Sequence, residues 1–150
     1  MMDEKIKAII SKYNKDRSQL VSILQDVQDE FYYLPKDALK KVSEEMSIPI
    51  SQVYGIATFF RAFSLKPRGK HLINVCLGTA CHIRGAVRLL EKVERSLNIN
   101  RGETTEDKRF TLETVNCMGA CALGPVLNID GKYYGQMSTE KVDSVLEEFN

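Results

Sequence analysis

Two tight cysteine pairs constrain the fold of this chain more than any other feature of its sequence. The chain has 150 residues and four cysteines, which fall as Cys76 with Cys81 and Cys117 with Cys121, with 35 residues between the pairs. A short loop can turn the two thiolates of a pair toward one point, and two such loops side by side present four soft ligands. The fold must therefore bring two distant segments together, and the spacing predicts a metal centre where they meet.

The composition is typical of a globular protein. Hydrophobic residues make up 43% of the chain and charged residues 27%, and the length suits one large domain or two small ones. The 21 basic residues nearly balance the 20 acidic residues, which gives no support to a nucleic-acid partner. No apolar run approaches the length of a membrane span, and the N-terminus lacks the architecture of a signal peptide. We therefore expect a cytoplasmic protein without direct membrane insertion, in which disulfides are disfavoured.

The N-terminal part of the chain predicts a helical bundle. Over residues 3–60, apolar residues recur at intervals of three and four, which is the period of amphipathic helices. We expect Ser18 to be the N-cap of the second helix and Pro35 to lie in the first turn of the third. Pro49 marks the start of a fourth helix that runs to about Phe60.

The segment Ser64–Lys70 breaks this periodicity with a proline and a glycine among charged residues. Such a composition is typical of a connector. We therefore predict a helical domain over residues 1–65 and a second domain over residues 66–150.

The second domain has the mixed pattern of an α/β fold. A strand over His71–Val75, a helix over Ala86–Leu97 and a strand over Phe110–Val115 are predicted first. Two hairpin strands follow, Val126–Ile129 and Tyr133–Met137, which flank the turn Asp130-Gly131. The last predicted element is a helix over Thr139–Phe149, with a cap at Ser138 or Thr139. The right-handed crossover rule makes the first two strands parallel neighbours. Each cysteine pair follows the carboxyl end of one of these strands, so both pairs should meet at one edge of the sheet.

Four thiolates in two pairs suit either an iron–sulfur cluster or zinc. In a two-iron, two-sulfide cluster each iron takes two protein ligands, which matches the two pairs. Zinc also accepts four thiolates, but its ligand pairs are usually CxxC, and the gaps here are four and three residues. The residues within the gaps are small or apolar, and their glycines allow backbone N–H groups to point at sulfur. The pattern favours iron and leaves zinc open.

Further motifs surround the cysteines. Tyr54–Phe60 has the sequence YGIATFF, CLGTAC is followed by Arg84 in an RGA motif, and CMGAC is followed by Gly124-Pro125 and Tyr134-Gly135. As a set, these motifs resemble the thioredoxin-like two-iron ferredoxin family. They resemble more closely its small iron–sulfur subunits, which occur in NADH-quinone oxidoreductases and in NAD(P)-linked hydrogenases. The resemblance covers nearly the whole chain.

This resemblance implies a fold, a cofactor and partners. The fold would be a thioredoxin-like sheet with flanking helices, preceded by the all-helical N-terminal bundle. The cofactor would be one [2Fe-2S] cluster on Cys76, Cys81, Cys117 and Cys121, with one cysteine pair on each iron. A larger partner subunit would bind FMN and NAD(P), in agreement with the lack of a GxGxxG or Walker motif in this chain.

The implied function is therefore electron transfer within a complex. The chain would be a non-catalytic subunit without catalytic residues, and its partners could include a hydrogenase catalytic subunit. It would reach the inner face of a membrane only through such a complex. Three rival functions remain: a structural zinc adaptor, a thiol-disulfide enzyme, for which neither pair has the usual CxxC spacing, and a free-standing two-iron ferredoxin.

Four residues near the motifs are open to two interpretations each. His82 adjoins Cys81, but four thiols already supply the ligands, and we expect no ligand role for His82 or His71. Arg84 is either a cation that acts on the cluster or a solvated helix residue. The isomer of the peptide bond before Pro125 is open, since thioredoxin-like folds often hold a cis proline there, whereas most X-Pro bonds are trans.

Overall fold

The computed structural model describes residues 1–150, and its contacts divide the chain into two units, Met1–Pro67 and Arg68–Asn150. The first unit contains four α-helices: α1 (Met2–Lys12), α2 (Leu20–Phe31), α3 (Lys36–Met46) and α4 (Ile50–Phe59). Their apolar stripes meet in one core, whose largest fully buried side chains are Ile6, Ile10, Ile23, Leu24, Leu34 and Leu39. The helices pack as a bundle because burial of these apolar stripes removes apolar surface from water.

Two helix starts differ from the prediction. Ser18 is not the N-cap of α2, because the carboxylate of Asp16 accepts a hydrogen bond from the Ser18 N–H at 2.9 Å and caps a 3₁₀ turn over Arg17–Gln19. Because Asp16 caps this turn, α2 begins only after it, at Leu20. Pro35 lies one residue before the first turn of α3, with ψ 144° at the N-cap position.

The second unit is built on a mixed four-stranded sheet. Its elements are β1 (His71–Cys76), α5 (Thr79–Ile83), α6 (Ala86–Leu97), β2 (Phe110–Val115), β3 (Leu127–Ile129), β4 (Lys132–Tyr134) and α7 (Thr139–Glu147). The strand order is β2-β1-β3-β4, in which β1 and β2 are parallel and the other neighbours are antiparallel. The predicted parallel pairing is confirmed, and its register sets Cys76 opposite Val115, so that both strands end at the same edge of the sheet.

Helices α6 and α7 cover the sheet with apolar side chains. Leu89, Leu90 and Val93 of α6 are buried, as are Val142 and Leu146 of α7. Val87 and Leu97 of α6 are only partly buried. The buried face of α6 is formed by Ala86, Leu89, Leu90 and Val93, whose spacing of three and four residues places them on one side of the helix.

The hairpin forms where Asp130-Gly131 predicted it, with φ angles of 51° and 89° that suit a two-residue turn. The predicted extent of strand β4 is wrong, since the strand ends at Tyr134 rather than Met137. After Tyr134 the chain turns against Leu123, to whose carbonyl the Gln136 N–H donates at 2.6 Å. None of the helices in the chain is long and apolar enough to cross a membrane.

Candidate iron–sulfur centre

The two cysteine pairs lie at the matched carboxyl ends of β1 and β2. Cys76 is the last residue of β1 and Cys81 lies in α5; these two side chains are 3% and 2% exposed. Cys117 and Cys121 follow β2 and are exposed, and all four thiols are free of disulfides. The first pair is therefore enclosed by the fold, whereas the second faces solvent.

Interactions of the Cys81 thiol show that the two loops meet. The thiol is within hydrogen-bonding reach of Cys76 and interacts electrostatically with Cys121. The structure thus brings together Cys76, Cys81 and Cys121, and Cys117 lies in the same loop as Cys121. No three His, Cys, Asp or Glu side chains are arranged around the position of a single metal ion.

Helix α5 is the element of the site that the sequence did not predict. It has five residues, too few to show a hydrophobic period, and the segment was expected to be a loop. It nevertheless decides the position of Cys81, because it turns the thiol back toward the end of β1. The small residues Gly78, Thr79 and Ala80 that open this segment were the available signal.

Two glycines mark the closest approach of the cysteine loops. A Cβ on Gly78 would lie 2.6 Å from the backbone oxygen of Asn116, which is closer than real side chains approach. A Cβ on Gly124 would lie 3.2 Å from the Cys81 Sγ and 3.3 Å from the Cys121 carbonyl oxygen. Because glycine has no side chain, the first loop can lie against the Asn116 backbone and the second loop against the Cys81 sulfur.

Backbone N–H groups donate hydrogen bonds to the sulfurs. The Gly119 N–H donates to the Cys117 Sγ at 3.3 Å, and the Val126 N–H donates to the Cys81 thiol. Burial raises the pKa of the Cys81 thiol and the neighbouring thiols raise it further, while the Val126 N–H lowers it. Val126 also accepts from the Cys76 N–H at 3.2 Å, so the residue before β3 contacts both buried cysteines. Such N–H donors stabilise thiolates and the negative charge of an iron–sulfur cluster.

Arg84 joins the first cysteine loop to the second. Its Nη1 donates to the carbonyl oxygen of Cys121 at 3.1 Å and to that of Gly124 at 3.4 Å. The side chain is therefore more than a solvated helix residue, a contact that the sequence could not show. The following peptide bond, Gly124-Pro125, is cis.

The two histidines occupy different surroundings. His82 is exposed and adjoins Cys81. His71 begins β1, at the end opposite Cys76, and its Nδ1 lies 2.5 Å from the Asp130 carboxylate.

The donor set fits a two-iron cluster. Four free thiols stand in two pairs at one sheet edge, N–H groups point at two of the sulfurs, and residues 77–90 and 116–129 contain no acidic side chain. An anionic cluster held by thiolates is favoured by donors and disfavoured by nearby carboxylates. The surroundings of the four thiols therefore fit a two-iron cluster.

Curated relatives extend over almost the whole chain. The HndA subunit of an NADP-reducing hydrogenase from Solidesulfovibrio fructosivorans is 36% identical over 140 residues, which are 93% of this chain and 82% of the relative. A subunit of the NADH-quinone oxidoreductase of Rhizobium meliloti (strain 1021) is 35% identical over 148 residues, which are 99% of this chain and 88% of the relative.

A solved structure shares the fold. An NAD+-reducing [NiFe]-hydrogenase in the air-oxidized state aligns with a TM-score of 0.76 at 21% identity, over 87% of this chain and 22% of the longer chain. The family model for thioredoxin-like [2Fe-2S] ferredoxins matches residues 6–150. The chain belongs to the thioredoxin-like [2Fe-2S] ferredoxin family.

Proposed function

We propose that this protein is an electron-transfer subunit that carries one [2Fe-2S] cluster within a flavin-dependent complex that oxidises NAD(P)H or reduces NAD(P). Cys76 and Cys81 would hold one iron, and Cys117 and Cys121 the other. The observation that carries the proposal is the meeting of two free thiol pairs at one sheet edge, with N–H donors directed at the sulfurs. Family membership and the named relatives support it.

The cluster, when bound, supplies one-electron exchange, and the chain's own residues set the conditions for it. The four thiolates bind iron, and the Gly119 and Val126 N–H groups balance the negative charge on sulfur. Cys76 and Cys81 pack with Ala86 and Val126 in a small apolar cluster that excludes water from the inner pair. The exposed second pair leaves a short path for an electron to a partner.

The partner is proposed to hold the flavin and the nucleotide. The relatives are named as subunits of a hydrogenase and of an NADH-quinone oxidoreductase, and FMN and NAD(P) would lie on a larger subunit of such a complex. A hydrogenase catalytic subunit would be a further partner in the first kind of complex. Subunits that co-purify with the chain from its native source would distinguish these two kinds of complex.

The helical unit is the proposed attachment to this partner. From Pro49 to Phe60 the chain has no charged residue, and the Phe59 side chain on α4 is 80% exposed. A large aromatic side chain in an uncharged surface is typical of the buried centre of a protein interface. We propose that this face of α4 packs against the flavin-binding subunit.

Spectroscopy and metal analysis test the cluster. The chain purified without oxygen should be red-brown, should contain about two irons and two sulfides, and should become paramagnetic on one-electron reduction. A colourless protein with stoichiometric zinc would favour the structural adaptor instead. Reversible thiol-disulfide exchange without iron would favour the thiol-disulfide enzyme.

A further inference from the structure

The second cysteine loop has few attachments to the rest of its unit. The hydrogen bonds of residues 117–122 run from Gly119 to Cys117, from Leu123 to Ala120 and from Gly124 to Cys121, all within residues 117–124. The exception comes from Arg84, which donates to the Cys121 carbonyl oxygen from outside the loop. Met118 and Ala120 of this loop also pack against the apolar cluster that contains Cys76 and Cys81. The bond from Arg84 is therefore the hydrogen bond that ties this exposed loop to the other cysteine pair.

Arg84 is well placed for this attachment. It is the C-cap residue of α5, three residues after Cys81, and its backbone N–H donates to the Ala80 carbonyl oxygen at 3.3 Å. Its guanidinium reaches across to two carbonyl oxygens at either end of the turn Cys121–Gly124. Because the backbone of Arg84 continues the helix that holds Cys81, its side chain couples the position of Cys121 to that of Cys81.

We propose that Arg84 is a positioning residue that ties the exposed cysteine loop to α5 and sets a fixed positive charge beside the centre. The Arg84 Nη1 alone donates to both carbonyl oxygens. The planar guanidinium fixes the directions of its N–H bonds, whereas the ammonium of a lysine rotates freely at the end of a flexible stem. A positive charge near the centre also favours the reduced cluster, which carries one more negative charge. The inference rests on the proposed cluster but concerns how its outer loop is held.

The test compares substitutions at Arg84 with the same substitutions at Arg88. Arg88 is also exposed and lies four residues further along the chain, in α6. The hydrogen bonds of the cysteine loops do not include it. Full-length holoprotein is mixed with a ferrous chelator under reducing conditions, and iron release is followed by absorbance. We expect Arg84→Gln to release iron about fivefold faster than the unchanged chain, as the loss of one net hydrogen bond implies, and Arg88→Gln to match the unchanged chain.

The lysine variants separate geometry from charge. Arg84→Lys should still release iron faster than Arg88→Lys, because the charge remains but the rigid planar donor is lost. The midpoint potential should become more negative in Arg84→Gln and stay closer to that of the unchanged chain in Arg84→Lys. If Arg84→Gln yields no holoprotein, the comparison of the two lysine variants decides the positioning role.

Specific outcomes would overturn the inference. Equal iron release from the Arg84 and Arg88 variants, or full rescue by Arg84→Lys, would show that Arg84 does not hold the loop. An unchanged potential in Arg84→Gln would remove the electrostatic part. An unchanged chain that binds no iron and sulfide would instead contradict the proposed function, so the two failures are distinguishable.

Discussion

The two cysteine pairs of the proposed centre differ in how far the fold encloses them. Cys76 and Cys81 are held by a strand end, a short helix and the backbone of Val126, whereas Cys117 and Cys121 stand on an exposed loop. All four thiols are needed if two sulfur ligands serve each iron.

Replacement of any one cysteine by alanine should therefore remove or badly destabilise the cluster. We expect iron and sulfide to fall from about two of each per chain toward zero, with loss of the visible absorbance. His82→Ala is the matched control, since this exposed residue adjoins Cys81 in the same helix. Normal iron and sulfide in all four cysteine variants would refute the ligand assignment.

Among the single helices and strands, the longer elements are those whose bounds the sequence pattern predicts correctly. Helix α6 and strand β2 have the bounds that their patterns predict, because twelve residues of helical period and six of a β-rich run are informative. The sequence does not predict helix α5, because its five residues are too few to show a helical period. Strand β4 is short because Gly135 packs against Leu123, a contact between segments that no local pattern contains.

Helix α4 contains a glycine that the fold of the chain does not require. A Cβ on Gly55 would meet no atom within 4 Å, and its φ is not positive. Gly55→Ala should therefore stabilise the helical unit by about 1 kcal/mol, through the higher helix propensity of alanine, and raise its Tm by about 4 °C. Thermal unfolding by circular dichroism measures this effect.

The same variant tests the proposed interface on α4. If the partner's backbone approaches Gly55 closely, Gly55→Ala should weaken co-purification of the complex while it stabilises the isolated chain. A rise in Tm with undiminished complex formation would count against close packing at this position.

Helices α6 and α7 are joined by an acidic side chain with a pH-dependent contribution. The Asp143 carboxylate accepts from the Lys92 Nζ at 2.8 Å and from the Ser96 Oγ at 2.7 Å. These hydrogen bonds, that of Lys92 first, lower the pKa of Asp143 below its ordinary value of 3.8. The stabilisation is therefore present above this ordinary value and is lost as the pH falls through the lower pKa of the folded state.

Asp143→Asn should consequently lower the Tm slightly at neutral pH, and the difference from the unchanged chain should vanish once the pH lies below the lowered pKa of Asp143. Because the pair is exposed, 1 M salt should reduce the effect at neutral pH. Glu147→Gln, on the same helix, is the control and should show no such dependence. A difference that grows as the pH falls would contradict the assignment.

At the scale of the whole chain, the division into Met1–Pro67 and Arg68–Asn150 suggests a division of roles. Each unit has its own set of buried apolar side chains. The two domains predicted over residues 1–65 and 66–150 remain a prediction about independent folding and function.

Deletion of residues 1–65 tests that prediction. The remaining chain should still bind the cluster, because all four cysteines and the sheet are retained, but it should no longer co-purify with the flavin-binding subunit. Visible absorbance reports the first result and affinity purification the second. Unchanged complex formation would exclude the helical unit as the attachment, and a shortened chain that carries electrons alone would favour a free-standing ferredoxin.

Residue patterns were sufficient to predict the types of the longer elements, the parallel pairing of β1 with β2 and the edge where the cysteine pairs meet. Periodicity is a local property of the sequence and the handedness of crossovers is a general rule of topology, so both can be applied without knowledge of side-chain packing. The enclosure of one cysteine pair, the exposure of the other and the reach of Arg84 to Cys121 and Gly124 became visible only in the folded chain. These features depend on which segments pack together across long stretches of chain, and no local pattern encodes that packing.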